Sequence, residues 1–351
     1  MEVGIVGLPG VGKTALFSAL TGIKAEGYSE KAHVGVADIP DPRLDLVAKH
    51  IPTRKVVHAT LHLVDIPGVP AGSDARKLNS FLEQIRQVEA ICHVVRCFDD
   101  GSGKIDPSGD ITNMETELVL ADLVVAEGGA EKSTKLAARG AEDAKARLAV
   151  LERAIPMLGD GRSIRASEEW SENERLILKN YGFVTAKPVL CVANVDEDDL
   201  EGDSQHAQAV KRYALETGAG FVAVCAKLEA ELAELEEPDR SEMVQSLGLK
   251  EPAVGSLARA AQTVLGLATF YTTSEKEIHA WTVPLGASAP EAAGAVHSDM
   301  QRGFIRAECY HVSDLEQYGT EKAIREAGKL RSEGKHYQME DGEVVRFLFN
   351  V

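Results

Sequence analysis

Residues Gly7-Leu8-Pro9-Gly10-Val11-Gly12-Lys13-Thr14 fit the pattern G-x-x-x-x-G-K-[ST] at every fixed position. They directly follow an apolar run, Val3 to Val6, and directly precede a helical pattern, Ala15 to Leu20. Few local patterns constrain a fold as tightly, because the chemistry needs a strand, a loop and a helix in that order. Glycine lets the backbone approach phosphates, so that successive N–H groups and a helix N-terminus face negative charge. Lys13 then supplies a cation to the β and γ positions, and the Thr14 hydroxyl is offered to Mg2+. By average residue usage the pattern arises by chance in about one chain in a hundred of this length, and the flanking strand and helix lower that further.

A second element follows at the expected remove. The run Leu61 to Val64 leads into Asp65-Ile66-Pro67-Gly68. A carboxylate at the end of a strand beside a phosphate loop can hold Mg2+, commonly through water, and the Gly68 N–H can sense a γ-phosphate. Alone, D-x-x-G reads as a turn; in register after a phosphate loop it reads as Mg2+ and γ-phosphate handling.

Two further strand tips carry polar residues. Pro188 to Ala193 ends in Asn194-Val195-Asp196-Glu197, and Phe221 to Val224 ends in Cys225-Ala226-Lys227. Doubly wound sheets bind ligands at the carboxyl ends of their strands. Ras-like GTPases carry N-K-x-D and S-A-K at such tips, whereas this chain has Val195 for the Lys and Glu197 for the Asp. An Asp there accepts from two donors of guanine that adenine lacks. One extra methylene displaces the acceptor by more than about 1 Å, which spoils a bidentate fit and lowers guanine selectivity.

The organisation of the chain suits this reading. Val- and Ile-rich runs at Val3 to Val6, Ala59 to Val64, Ile91 to Val95, Pro188 to Ala193 and Phe221 to Val224 predict a mostly parallel, doubly wound α/β sheet. The stretch 114–180 breaks the rhythm. Leu148, Leu151, Ile155 and Leu158 recur at helical spacing, as do Val119, Leu123 and Ala126, with Gly128-Gly129 as a break, so an inserted helical hairpin arm is expected. Its alternative is a pair of ordinary surface helices. Beyond residue 267, alternating runs at Ile278 to Val283, Phe304 to Val312 and Val344 to Val351, the last entered through Asp341-Gly342 as a hairpin signal, predict a β-rich C-terminal domain. The expected domains are therefore 1–113 with 181–266 for nucleotide binding, 114–180 for the arm, and 267–351. A patch at Leu228 to Glu237 reads as an acidic helix.

Composition excludes several classes. The 351 residues hold 38 Lys and Arg against 55 Asp and Glu, for a net charge of −17, which opposes nonspecific coating of nucleic acid. Sequence-specific DNA binding is not expected. Cys92, Cys97, Cys191, Cys225 and Cys309 include no C-x-x-C pair, and four lie in apolar runs, as in a reduced cytoplasmic protein. No run approaches the ~20 apolar residues needed to cross a bilayer, and the start has no basic leader, so neither membrane insertion nor export is expected.

With these residues in hand, the chain resembles the YchF family, Obg-related P-loop NTPases that prefer ATP to GTP. The resemblance spans nearly the whole chain and rests on GLPGVGKT, PDPRLDLVAKH, HVVRCF, NVDEDDL, CAKLEAEL, AWTVPLGASAPEAAGAVHSDMQRGFIRAE and DGEVVRFLFNV. It implies that 267–351 is a TGS domain of β-grasp fold and that 114–180 is a coiled-coil arm. It further implies that Gly7 to Thr14, with Ala15, cradle the phosphates, with Lys13 and Gly68 taking the catalytic roles. Thr14 and Asp65 would hold Mg2+, Asn194, Val195 and Glu197 would flank the base, and Cys225, Ala226 and Lys227 would support it. ATP is the implied nucleotide, with GTP weaker, and the ribosome or its RNA the implied partner.

The chain departs from the family pattern in three places. Gly10 and Thr14-Ala15 replace Asn and Ser-Thr. The first switch, Ala25 to Pro40, is short and has no Thr to close over the γ-phosphate. After Gly68 comes Val69, as in family members that put an apolar residue where Ras-like enzymes place a water-orienting Gln, but the following loop lacks the family's Gly-rich, His-bearing stretch; Ser73, Asp74, Arg76, Lys77 and Asn79 are the polar candidates there. Slow turnover is therefore expected, since losing a positioning group costs about 10³ in rate. The alternative is a nucleotide-responsive binding module with little or no hydrolysis.

Other residues invite other chemistry. His33, His58, His62 and His93 share no metal-ligand spacing and read as core or surface histidines. Trp281 and Tyr310 with Arg306 could form an RNA-stacking face or belong to the β-grasp core. Residues 267–351 hold nine Lys or Arg and thirteen Asp or Glu, an acidic balance for an RNA-binding module.

Overall fold

The computed structural model describes residues 2–23, 32–69, 74–101, 103–167, 169–236, 238–249 and 251–350. Residues 24–31, which include the start of the expected first switch, and 70–73 of the expected second, Ser73 among them, lie outside the described residues. By contacts the chain divides into two compact units, Met1–Gly35 with His62–Val264, and Val36–Leu61 with Leu265–Val351.

The first unit holds most of a six-stranded sheet of β1 (Glu2–Val6), β2 (His33–Ile39), β4 (Ala59–Asp65), β5 (Ala90–Arg96), β6 (Val189–Asn194) and β7 (Gly220–Val224), in the order β2-β4-β1-β5-β6-β7, with the unit bounds falling inside β2 after Gly35 and inside β4 before His62. The β4–β1, β1–β5, β5–β6 and β6–β7 ladders are parallel. β6 is buried along its whole length and β5 along nearly all of it, which is why their sequences read as unbroken apolar runs: both faces are covered. β2 is the strand that the run-based reading did not expect. Its burial alternates, with Val34 and Val36 exposed, as suits a strand at the end of the sheet order with one wet face.

Helices of this unit include α1 (Lys13–Thr21), α3 (Ala75–Gln87), α4 (Pro107–Ala137), α5 (Glu142–Gly159), α6 (Glu172–Tyr181), α7 (Gln205–Thr217) and α8 (Ala226–Glu234). The expected arm begins at Pro107 rather than near residue 114, where Asp106 caps the helix by accepting from the Gly109 N–H at 3.1 Å. α4 and α5 pack along a shared apolar seam of Val119, Ala126, Val150, Leu151, Ala154 and Leu158. The expected break at Gly128-Gly129 does not occur. α4 runs through it, and Gly129 is required by proximity instead, since a Cβ there would stand 2.7 Å from the Tyr181 ring. The chain turns at Gly140, whose φ is +89°.

Two carboxylates of α4, Asp122 buried and Glu115 partly buried, tie that helix to the segments around Ser163 and Val184. Asp122 accepts from the backbone of Val184 and Thr185 at 3.1 and 2.7 Å and from the Thr185 hydroxyl at 2.7 Å. Glu115 pairs with Arg165 and accepts from the Ser163 hydroxyl at 2.6 Å. The acidic patch at Leu228 to Glu237 is not wholly solvated either. Glu229 is 2% exposed and caps the helix Ala253–Val264 through the N–H groups of Ala253 and Val254, at 2.8 and 3.2 Å.

The second unit holds a mixed sheet of β3 (Val56–Val57), β8 (Leu267–Thr273), β9 (Ile278–Pro284), β10 (Phe304–His311), β11 (Arg331–Glu333) and β12 (Glu343–Phe349), ordered β11-β10-β12-β8-β9-β3. A β8–β9 hairpin with a parallel β12 beside β8 and β10 beyond it is the strand order of a β-grasp. The expected domain boundary is corrected here: Val36–Leu61 groups with the C-terminal residues rather than with the nucleotide-binding half. The cause is local. β3 pairs with β9, and α2 (Pro42–His50) begins at Asp41, which accepts from the Arg43 backbone at 3.0 Å and from the Tyr271 hydroxyl. Arg43 in turn reaches Asp341.

Asp341-Gly342 does not close a hairpin, because β12 pairs with β10 and β8 and not with the preceding β11. The two residues instead dock on β8, Asp341 accepting from the Thr269 N–H and the Gly342 N–H donating to the Thr269 carbonyl, both at 2.8 Å. The suggested stacking face is also absent. Trp281 stands opposite Phe270, while Tyr310 stands opposite Val344, which itself faces Tyr271. Strand alternation therefore puts Trp281 on one face of the sheet and Tyr310 with Arg306 on the other. No helix among the described residues is long and apolar enough to cross a membrane.

Candidate nucleotide site

The turn after β1 delivers the backbone of Gly7 to Gly12 to the start of α1, whose first residue is Lys13. Gly12 sits at the helix cap with φ +94°, and a Cβ there would fall 2.2 Å from the Asn194 amide nitrogen, so neither the conformation nor the space admits a side chain. The helix N-terminus thereby presents its unsatisfied N–H groups at the loop. Lys13 is 7% exposed and donates to the carbonyls of Gly7 and Leu8 at 3.0 and 2.8 Å, folding back over the loop. Burial brings its ammonium down to about 8, an effect that the Asp65 carboxylate opposes.

β4 ends at Asp65, alongside β1. The Thr14 hydroxyl donates to Asp65 Oδ2 at 2.9 Å, while Oδ1 is buried with no hydrogen-bond partner among the described residues. An orphaned anionic oxygen next to a hydroxyl is the donor set that a hard divalent cation takes, so Thr14 and Asp65 fit Mg2+. His33 was not expected here: its Nδ1 lies 3.8 Å from Asp65 Oδ2. The alternation in HVGVADI marks β2, but no spacing rule ties its first residue to Asp65. Gly68 approaches so closely that a Cβ would lie 2.6 Å from the Gly7 carbonyl and 2.9 Å from Lys13 Nζ. Val69 packs half-buried against the core of the unit, and Asp74 is spent as the cap of α3, accepting from the Lys77 N–H at 2.9 Å. Arg76 is exposed, as are Lys77 and Asn79 to differing extents, along the same helix.

On the far side of the loop, Asn194 is 5% exposed. Its amide donates to the Val11 carbonyl and its oxygen accepts from the Ala226 N–H, both at 2.9 Å. Val195 is buried in the core, its N–H donating to Val224 at 3.0 Å, and Cys225 is buried at the cap of α8. Glu197 is exposed and already paired, accepting from Lys227 Nζ at 2.7 Å. Asp196 accepts from the Asp99 N–H at 3.0 Å, tying the tip of β6 to the loop after β5, a link absent from the sequence-level reading. The structure thus brings Gly7 to Ala15, Asp65, Gly68, Asn194, Glu197 and Cys225 to Lys227 to one end of one sheet.

A glycine-rich loop with an inward lysine, a Thr–Asp pair and an Asn clamp, all at the carboxyl ends of parallel strands, define a P-loop nucleotide-binding protein. A family model described as 50S ribosome-binding GTPase (MMR_HSR1) matches residues 2–126, and the YchF-GTPase_C model, described as a protein of unknown function, matches residues 267–350. The chain belongs to the YchF family. It is 43% identical over 362 residues to the "Ribosome-binding ATPase YchF" of Escherichia coli O157:H7, covering 100% of this chain and 99% of the relative. The relative of the same name from Bacillus subtilis is 39% identical over 365 residues, with all of both chains covered. Among solved structures, that of the Schizosaccharomyces pombe YchF GTPase superposes with a TM-score of 0.87 at 30% identity, covering 99% of this chain and 97% of the other.

Proposed function

We propose that this chain is a Mg2+-dependent purine nucleoside triphosphatase of the cytoplasm, which binds ATP in preference to GTP and hydrolyses it slowly to ADP and phosphate. Its bound nucleotide gates association with the ribosome, the partner in the names of its relatives, or with ribosomal RNA. The observation that carries the reading is the pairing of Thr14 with Asp65 beside a buried Lys13. Loop N–H groups and Lys13 hold the β- and γ-phosphates, and Lys13 exchanges its bonds to Gly7 and Leu8 for phosphate oxygens. Thr14 and Asp65 would hold Mg2+, which would supply neutralisation of the triphosphate charge when bound. Gly68 offers its N–H to the γ-phosphate, which gives the loop after it a preference for one nucleotide state. Ala15, in the first turn of α1, adds its backbone N–H to the phosphate cradle, and Glu197 and Lys227, together with the backbone at the buried Val195, Cys225 and Ala226, shape the base pocket.

The nucleotide preference is tested by competing ATP and GTP for one fluorescent analogue. ATP is expected to bind tighter, and Glu197→Asp to restore part of the guanine affinity; a large GTP advantage in the unsubstituted protein removes the basis for ATP. Hydrolysis is tested by multiple-turnover phosphate release with Lys13→Ala as the blank. A second reading, a nucleotide-responsive binding module without turnover, is favoured by the packing of Val69 into the core at the position after Gly68. Release equal to the blank, with nucleotide binding intact, selects that reading.

A further inference from the structure

The second unit contains a cavity of about 860 Å3 whose lining includes no residue of the nucleotide site. The parallel ladder of β12 and β8 ends after Val344 and Tyr271, and the cavity opens where Thr273 to Glu275 and Val345 to Arg346 no longer pair. Glu308 and Tyr310 line it from β10, on the sheet face opposite the one that Ala307 and Cys309 turn toward the alanine-rich core.

Its charge is lopsided. Three carboxylates, Glu275, Glu308 and Glu321, face one guanidinium, Arg346. The partners they have are weak: Glu308 meets Arg306 at 3.4 Å, Glu321 meets Arg325 at 3.8 Å, and no ion pair is recorded for Glu275 or Arg346 among the described residues. Tyr310 is 3% exposed, and its hydroxyl has no hydrogen-bond partner among the described residues. Burial and then the Glu321 carboxylate hold that phenol above its ordinary value, so it stays protonated with a free oxygen lone pair. A buried hydroxyl without a partner is costly unless a ligand supplies one.

A compact metal ion does not suit these carboxylates. Among the described residues, the group close enough to share an ion is His311, Glu340 and Glu343, which lies outside this lining set, and Glu343 is already taken by Arg331 and Tyr337. Acidic groups spread around an apolar wall of Leu330 and Val344 call instead for a cation on a hydrocarbon stem.

We propose that this cavity binds a primary alkylammonium group, the chemistry shared by a polyamine and a lysine side chain, with Leu330 and Val344 along the methylenes and the carboxylates and Tyr310 around the ammonium. The test is calorimetry on the full chain at fixed ionic strength, titrating spermidine in one arm and a blocked Gly-Lys-Gly peptide in the other. Binding of spermidine alone identifies a free polyamine; binding of the peptide identifies a lysine of a protein partner. In either case Glu308→Gln with Glu321→Gln is expected to weaken binding about tenfold or more, and Tyr310→Phe several-fold. Arg346→Ala, at an exposed position where folding is not at stake, is expected to tighten it. Nucleotide affinity, measured on each variant, is expected to stay unchanged. No heat in both arms, or binding indifferent to the carboxylate pair and to Arg346, overturns the proposal.

Discussion

The Asn194 side chain donates to the Val11 carbonyl at 2.9 Å, and so the tip of β6 holds the phosphate loop by its backbone. Its other end takes the Ala226 N–H, which closes a bridge from loop to α8. Both bonds are buried, and losing them strands a carbonyl and an N–H. Asn194→Ala is expected to lower triphosphate affinity about 10- to 100-fold with the sheet intact, by calorimetry and circular dichroism. Asn194→Asp is expected to be at least as harmful, since a carboxylate oxygen then opposes the Val11 carbonyl.

Gly68 offers a steric prediction. A methyl group there meets the Gly7 carbonyl at 2.6 Å and Lys13 Nζ at 2.9 Å, so the phosphate loop or the Gly68 loop has to shift. Gly68→Ala is expected to cost about 1–3 kcal/mol of triphosphate binding, and less of diphosphate binding if, as proposed, the Gly68 N–H serves the terminal phosphate. Equal losses for ATP and ADP by titration would contradict the role given to Gly68.

His93 sets an acid limit on stability. It is 3% exposed on β5, and burial pulls its pKa from 6.5 down to about 4. The folded chain then keeps it neutral while the unfolded chain takes up a proton, so stability falls as pH drops through the window from 6.5 to about 4. The slope in that window is about 1.4 kcal/mol per pH unit. Urea midpoints at pH 7 and pH 5 measure it, and His93→Leu is expected to flatten the difference.

Arg165 and Glu115 form a pair whose side chains are 8% and 14% exposed. Burial and pairing act in opposition, and pairing with Arg165 holds the Glu115 carboxyl below its usual range. Glu115→Ala is expected to cost about 3–5 kcal/mol by leaving a buried guanidinium unpaired. Arg165→Met combined with Glu115→Leu is expected to cost clearly less than the sum of the single changes, as read from a double-mutant cycle in urea.

Local chemistry was the legible part. Gly7 to Thr14 and Asp65 to Gly68 carry fixed spacing because phosphate and cation geometry allow no other, and the buried strands announce themselves as apolar runs. Asn194 was legible as a residue of the site but not as a clamp, since its partners Val11 and Ala226 meet it only through strand order. β2 was missed because half of its residues face solvent and break the apolar run. The docking of Asp341 on Thr269, the exchange of Val36–Leu61 into the second unit, and the continuity of α4 through Gly128-Gly129 depend on contacts between distant segments, for which propensity is silent.

All five cysteines are buried and unbridged, and burial lifts the thiols of Cys92, Cys97, Cys191 and Cys309 to about 12, with Cys225 also raised. Thiolate is the reactive form, so maleimide dyes should find almost nothing to label on the native fold at neutral pH. A single thiol engineered onto the surface therefore becomes an address for a fluorophore without first stripping out the natural ones.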